Sequence, residues 1–119
     1  MGDISKYFNR AEFACKDDCG FDDIDMELVK RLDAMREALG LPLVIDSGCR
    51  CAAHNATVGG EPNSAHLRGM AADVHCPDSN FRFLFTKEAY RMFFRMGQYK
   101  DWIHVDIDNT LPQFVMWFK

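Results

Sequence analysis

The stretch NSAHLRGMAADVHC, residues 63–76, places two titratable side chains beside what reads as a buried strand. Ala71, Ala72 and Val74 belong to that strand, and Asp73 stands among them, where an unpaired carboxylate is costly. His66 lies seven residues earlier, across a turn that contains Gly69. A bound dication would offset the cost of burying Asp73, so His66 and Asp73 read together as part of a metal site.

Outward from this stretch, LVIDS (43–47) is short and β-rich and predicts a strand, and MAADVHC (70–76) predicts the next. Upstream, Leu28, Leu32, Met35 and Leu39 recur at helical spacing over 25–39, with Gly40 as the stop. Asn9 and Glu12 form a possible capping box for a short first helix ending near Cys15. Downstream, Phe81, Leu84, Phe85, Ala89, Met92, Phe93 and Met96 predict a second long helix over 79–96, stopped by Gly97. DWIHVDID (101–108) alternates as a strand does, and QFVMWFK (113–119) reads as the last strand after Pro112. Residues 48–65 read as one long loop, and loops of that length usually carry function. The expected fold class is α+β, a small and mainly antiparallel sheet with helices packed on it, as one domain over 1–119.

Composition narrows the function. With 119 residues, 48% of them hydrophobic, and a formal charge of −4, the chain offers no basic footprint for nucleic acid. It contains no apolar run long enough for a membrane span. Its first residues lack the pattern of a signal peptide, so the expected location is cytoplasmic as synthesised. Release from the cell would then need another agent. Five cysteines, Cys15, Cys19, Cys49, Cys51 and Cys76, make an odd number, and free, partly buried thiols are the default reading. A structural zinc site or a single disulfide built from Cys15/Cys19 and Cys49/Cys51 are the alternatives.

His104 lies in the WIHVD strand, with Trp102 and Asp106 on its face by alternation. If the two strands are neighbours, His66, Asp73 and His104 converge as two imidazoles and a carboxylate. That set leaves a fourth position open, which suits catalytic zinc better than magnesium or calcium. Asp101, three residues before His104, is the candidate general base, and Arg50 the candidate cation for a developing oxyanion. Spacing alone is a weak signal, because a histidine with an aspartate seven residues on is common by chance.

The segment SGCRCAAHNATVGGEPNSAHLRGMAAD (47–73) resembles the signature SGYRxxxHNxxVGGxxxSxHxxGxAxD of the zinc D-Ala-D-Ala carboxypeptidase family, which includes phage endolysin peptidases. DWIHVDI (101–107) looks like that family's closing metal motif, and LVKRLDAMREALGLPL (28–43) like its upstream helix. The resemblance covers roughly residues 5–108. It implies one catalytic zinc ion held by His66, Asp73 and His104, Asp101 as catalytic base, Arg50 as the group on the substrate carbonyl, and Ser64 as a residue ordering the loop or substrate. It implies a hedgehog/DD-peptidase-like fold, and as substrates peptidoglycan stem peptides or other peptides containing D-amino acids. Cys49 stands where the family has tyrosine, which suggests a smaller wall on the substrate side. Tyr99 stands where some members carry a histidine. A cytosolic D,D-dipeptidase and a non-catalytic zinc-binding module, as in hedgehog signalling domains, are the alternative readings.

Overall fold

The helix expected over 25–39 forms as α1, Met26–Leu39, in a computed structural model that describes residues 2–119. The Asp25 carboxylate accepts from the Glu27 N–H and caps the helix, while Leu28, Val29, Leu32 and Met35 turn into the core. The first helix is a single 3-10 turn, Arg10–Phe13, with the Asn9/Glu12 capping box in place. Strands β1 (Ile45–Ser47) and β2 (Ala71–His75) also form where their β-rich runs lie.

Two expectations are corrected. Residues 48–65 are not one loop: they hold a short helix α2, Ala52–Thr57, and lead into a 3-10 turn, Ala65–Arg68. Only Asn55 of α2 is buried, so the helix has no apolar stripe to betray it in sequence. The second long helix, α3, spans Ser79–Met92 and stops short of Met96. Phe93 is extended, and Arg95–Gln98 form a strand, β3. Phe93 and Met96 are both buried and fit a helical period, yet β3 gains hydrogen-bonding partners on both sides, from β4 (Trp102–Asp106) and β5 (Val115–Phe118). Gly97 therefore serves the sheet rather than ending a helix, since a Cβ there would come within 2.4 Å of Trp117 Nε1.

The five strands run in the order β1-β2-β4-β3-β5, all antiparallel except the parallel β3–β5 pair. Alternation then divides the sheet. Ala72, Val74, Ile103, Val105 and Met96 join one apolar core with Leu28, Leu32 and Met35 of α1 and Phe81, Phe85 and Ala89 of α3. Burying each larger aliphatic or aromatic side chain there contributes about 1.5–3 kcal/mol. The opposite face carries Asp73, His104 and Asp106. Asp73 and His104 are direct cross-strand partners, and Gly97 flanks His104 on the other side. One face holds the fold together, and the other is free for chemistry.

Candidate metal centre

His66 reaches the sheet from the 3-10 turn before β2. Ser64 caps that turn by accepting from the His66 N–H at 3.2 Å. The turn ends at Gly69, whose φ of +67° and close approach to the Asp23 carbonyl, 2.3 Å from where a Cβ would sit, leave no room for a side chain. His66 is left only 1% exposed. Its Nε2 faces Asp73 Oδ1 at 3.2 Å, and His104 Nδ1 faces the same oxygen at 3.0 Å.

The outer ring nitrogens reveal what the cluster is built for. His66 Nδ1 lies 2.6 Å from the Gly48 carbonyl, which can only accept, so Nδ1 carries the proton. Burial pushes His66 below the ordinary imidazole range despite the attraction of Asp73, so the ring is neutral. Its Nε2 lone pair therefore points at a carboxylate oxygen, an acceptor facing an acceptor. His104 Nε2 donates to Asp106 Oδ2 at 2.7 Å, which likewise leaves Nδ1 to face inward. Three electron-pair donors aimed at one point call for a cation between them. Two imidazoles and a carboxylate, each imidazole braced from behind by an acceptor, suit zinc.

Arg50 completes the constellation. Its guanidinium donates to Asp73 Oδ2 at 3.1 Å, Ser47 Oγ at 3.1 Å and Asn55 Oδ1 at 3.0 Å. It thereby occupies one oxygen of Asp73 and leaves Oδ1 to the two imidazoles. Without metal, a proton takes the metal's part. Burial opposes charge on His104, but its hydrogen bonds to Asp106 and Asp73 outweigh that cost and raise its pKa to about 9. Burial likewise opposes charge on Asp73, yet His66 and His104 hold its carboxyl well below the usual range.

A pH dependence follows from the raised His104. An imidazole raised from about 6.5 contributes stability that is complete below that pH and is lost as the pH climbs through about 9. Protein stripped with a chelator should therefore melt at progressively lower temperature from pH 6.5 to 9. Zinc must displace the same proton, so its affinity should strengthen by about tenfold per pH unit over that window. A flat affinity profile by competition titration would show that His104 is neutral in the metal-free protein.

The cluster lies in a cleft of about 1000 Å³ whose lining includes Lys16, Arg50, His54, Tyr99, Trp102 and Trp117. The residues around the cluster fall as follows. Asp101 is exposed in the turn between β3 and β4, beside the cleft-lining Trp102 but outside the cleft lining itself. Tyr99 stacks on Trp102 and accepts from Trp117 Nε1 at 3.0 Å. The His75 ring turns to Asp46, 3.4 Å away. Arg68 is held by buried Asp108 and by Asn63. Cys49, expected on the substrate side of the loop, is 1% exposed in the core and is not part of the cleft lining. The bracing role of Asp106 and its ion pair with Arg95 were not read from the sequence. The signal was its position two residues past His104, on the same face.

Comparison with known proteins agrees with this geometry. Over 52 residues the chain is 40% identical to the zinc D-Ala-D-Ala carboxypeptidase of Streptomyces albus G, a match covering 43% of this chain and 20% of that relative. A sequence profile of the family described as Peptidase M15 matches residues 6–106, and the match spans the cluster, the cleft-lining Arg50 and both central strands. The chain belongs to the peptidase M15 family.

Proposed function

We propose that this protein is a zinc metallopeptidase that hydrolyses peptide bonds in bacterial cell-wall peptides containing D-amino acids. The observation that carries the reading is the convergence of His66, Asp73 and His104 on one point within the cleft. Zinc held there would polarise a carbonyl and lower the pKa of its water to about 7. Arg50 is already fixed by three hydrogen bonds, and its two remaining N–H groups can meet the substrate carbonyl and stabilise the oxyanion that develops from it. Asp101 is assigned as general base on its DxxH spacing and its place next to Trp102. In that role it takes a proton from the attacking water and passes it to the leaving amine.

A peptidase that removes a terminal residue must also hold a free carboxylate. Arg50 and Arg68 are both engaged within the protein. Lys16 lines the cleft without an ion-pair partner among the described residues and suits that role. Stem peptides of the wall, met by a phage-type lysin or by a cell's own enzyme, are the proposed substrates.

The test is mass spectrometry of muropeptides incubated with wild-type protein, with and without chelator, and with Asp101→Asn. The expected result is a chelator-sensitive product whose mass identifies the cut bond. Asp101→Asn should retain its zinc but lose activity by about 10²–10⁴-fold, the usual worth of a positioned base. Zinc-loaded, folded wild-type protein that yields no product from muropeptides or from D-Ala-D-Ala would favour a non-catalytic zinc-binding module. Full activity in Asp101→Asn would assign the base to another residue.

A further inference from the structure

Beyond the cleft's own cluster, the structure holds a second group of side chains of metal-ligating type, one of which, Cys51, directly follows Arg50. Cys15, Asp17 and Cys19 come from the irregular CKDDCG loop, and Cys51 precedes α2. One ligand atom from each lies within 4.8 Å of every other. Cys15 Sγ and Cys51 Sγ are 3.9 Å apart, and the Asp17 carboxylate sits 3.1 Å from the first and 2.9 Å from the second. Tetrahedral zinc with Zn–S bonds of about 2.3 Å sets its sulfurs roughly 3.8 Å apart, close to this spacing.

We propose that Cys15, Asp17, Cys19 and Cys51 bind a second, structural zinc ion. The donors are of the right kind, soft thiolates with one carboxylate, and they fill four positions, so no site is left open for water. Backbone amides support the negative sulfurs: Cys51 N–H points to Cys15 Sγ and His54 N–H to Cys51 Sγ, each at 3.4 Å. The three thiols release their protons to solvent as the ion binds. A disulfide between Cys15 and Cys51 would use only two of the three sulfurs and would give Asp17 and Cys19 no reason to converge. The sequence alternative that paired Cys15/Cys19 with both Cys49 and Cys51 is thereby narrowed. Cys49 lies in the core, and Cys51 alone joins the cluster.

The ion would tie the Cys15–Cys19 loop to the segment carrying Arg50. Lys16 and Arg50, each adjacent in sequence to a ligand, both line the cleft. Their placement there matters to the peptidase reading, but the second ion does not depend on it.

Native mass spectrometry of protein purified with reductant and supplied with zinc tests the assignment. Wild type should carry two ions per chain, His104→Ala one, and Cys19→Ser one. Cys19 is exposed, so its replacement leaves the core intact. Cobalt loaded into His104→Ala should show a thiolate-to-metal charge-transfer band in the near ultraviolet, and zinc should slow alkylation of Cys19. A single ion in wild type that His104→Ala removes, no charge-transfer band, or a Cys15–Cys51 disulfide in the reduced preparation would each overturn the proposal. Failure of the catalytic reading would look different: a His104→Ala protein that keeps its thiolate-bound ion beside a wild type without hydrolytic activity.

Discussion

Replacing Asp73 with alanine should abolish zinc retention at the histidine cluster and, with it, the proposed peptide hydrolysis. Asp73 Oδ1 is the atom on which His66 and His104 converge, and among the described residues no other carboxylate joins that group. The change should also weaken the metal-free fold. Without Asp73, the Arg50 guanidinium and the protonated His104 ring face each other with no anion between them, both almost wholly buried. Breaking a buried pair by removing one partner costs about 3–5 kcal/mol. Asp73→Asn separates the two effects. It keeps the volume and an acceptor for Arg50, so the protein should stay folded, while the loss of charge should still release zinc. Metal analysis after dialysis, read with urea unfolding of the stripped proteins, measures both. Zinc retained at the histidine cluster by Asp73→Ala would remove Asp73 from the ligand set.

The second large effect is expected at Asp106, which stands behind the His104 ring and outside the group of three converging donors. Its Oδ2 accepts from His104 Nε2, both oxygens accept from Arg95 Nε at 2.9 and 3.0 Å, and Oδ1 accepts from the Asp108 N–H. Asp106→Ala should lower zinc affinity by about 10–100-fold, because the His104 ring loses the acceptor that fixes its tautomer and direction. It should also destabilise the protein by about 3–5 kcal/mol, since Arg95 is left nearly buried without its counter-charge. The stacking of Arg95 on Trp117 remains, but an aromatic face is a weaker partner than a carboxylate. Asp106→Asn keeps one acceptor and should fall between. A folded Asp106→Ala protein with unchanged zinc affinity would reduce this residue to a purely structural role.

Much of this was legible in the sequence, and what was missed has physical causes. α1 announced itself because its cues agreed: Leu28, Leu32, Met35 and Leu39 at helical spacing, and Gly40 at the end. α3 was overextended because Phe93 and Met96 satisfy helical and strand burial equally well. Only the pairing of β3 with β4 and β5, between residues distant in sequence, decides between them. α2 was invisible because a six-residue exposed helix has no periodicity to read. In the site, His66, Asp73 and His104 were marked by residue type and spacing, and the structure brings them together. The roles of Gly48 and Asp106 behind the imidazoles depend on which ring nitrogen points where, which no spacing encodes. The thiol cluster was half visible, since CxxxC and CxC spacings do not say which cysteine of the second pair turns inward.

Asp73 and His104 occupy matched positions on adjacent strands, and this has a consequence for how the protein is assembled in a cell. Strand side chains alternate, so slipping β2 against β4 by one residue would send either Asp73 or His104 to the wrong face. The donor set cannot exist in part. It appears only when a segment near residue 73 has found one near residue 104 in correct alignment, a non-local contact of the kind that forms late during folding. In newly made chains the histidine cluster would therefore hold no metal until the sheet has closed. A metal held there would act as a proofreader of alignment, because it would add stability only to molecules whose central strands have paired correctly.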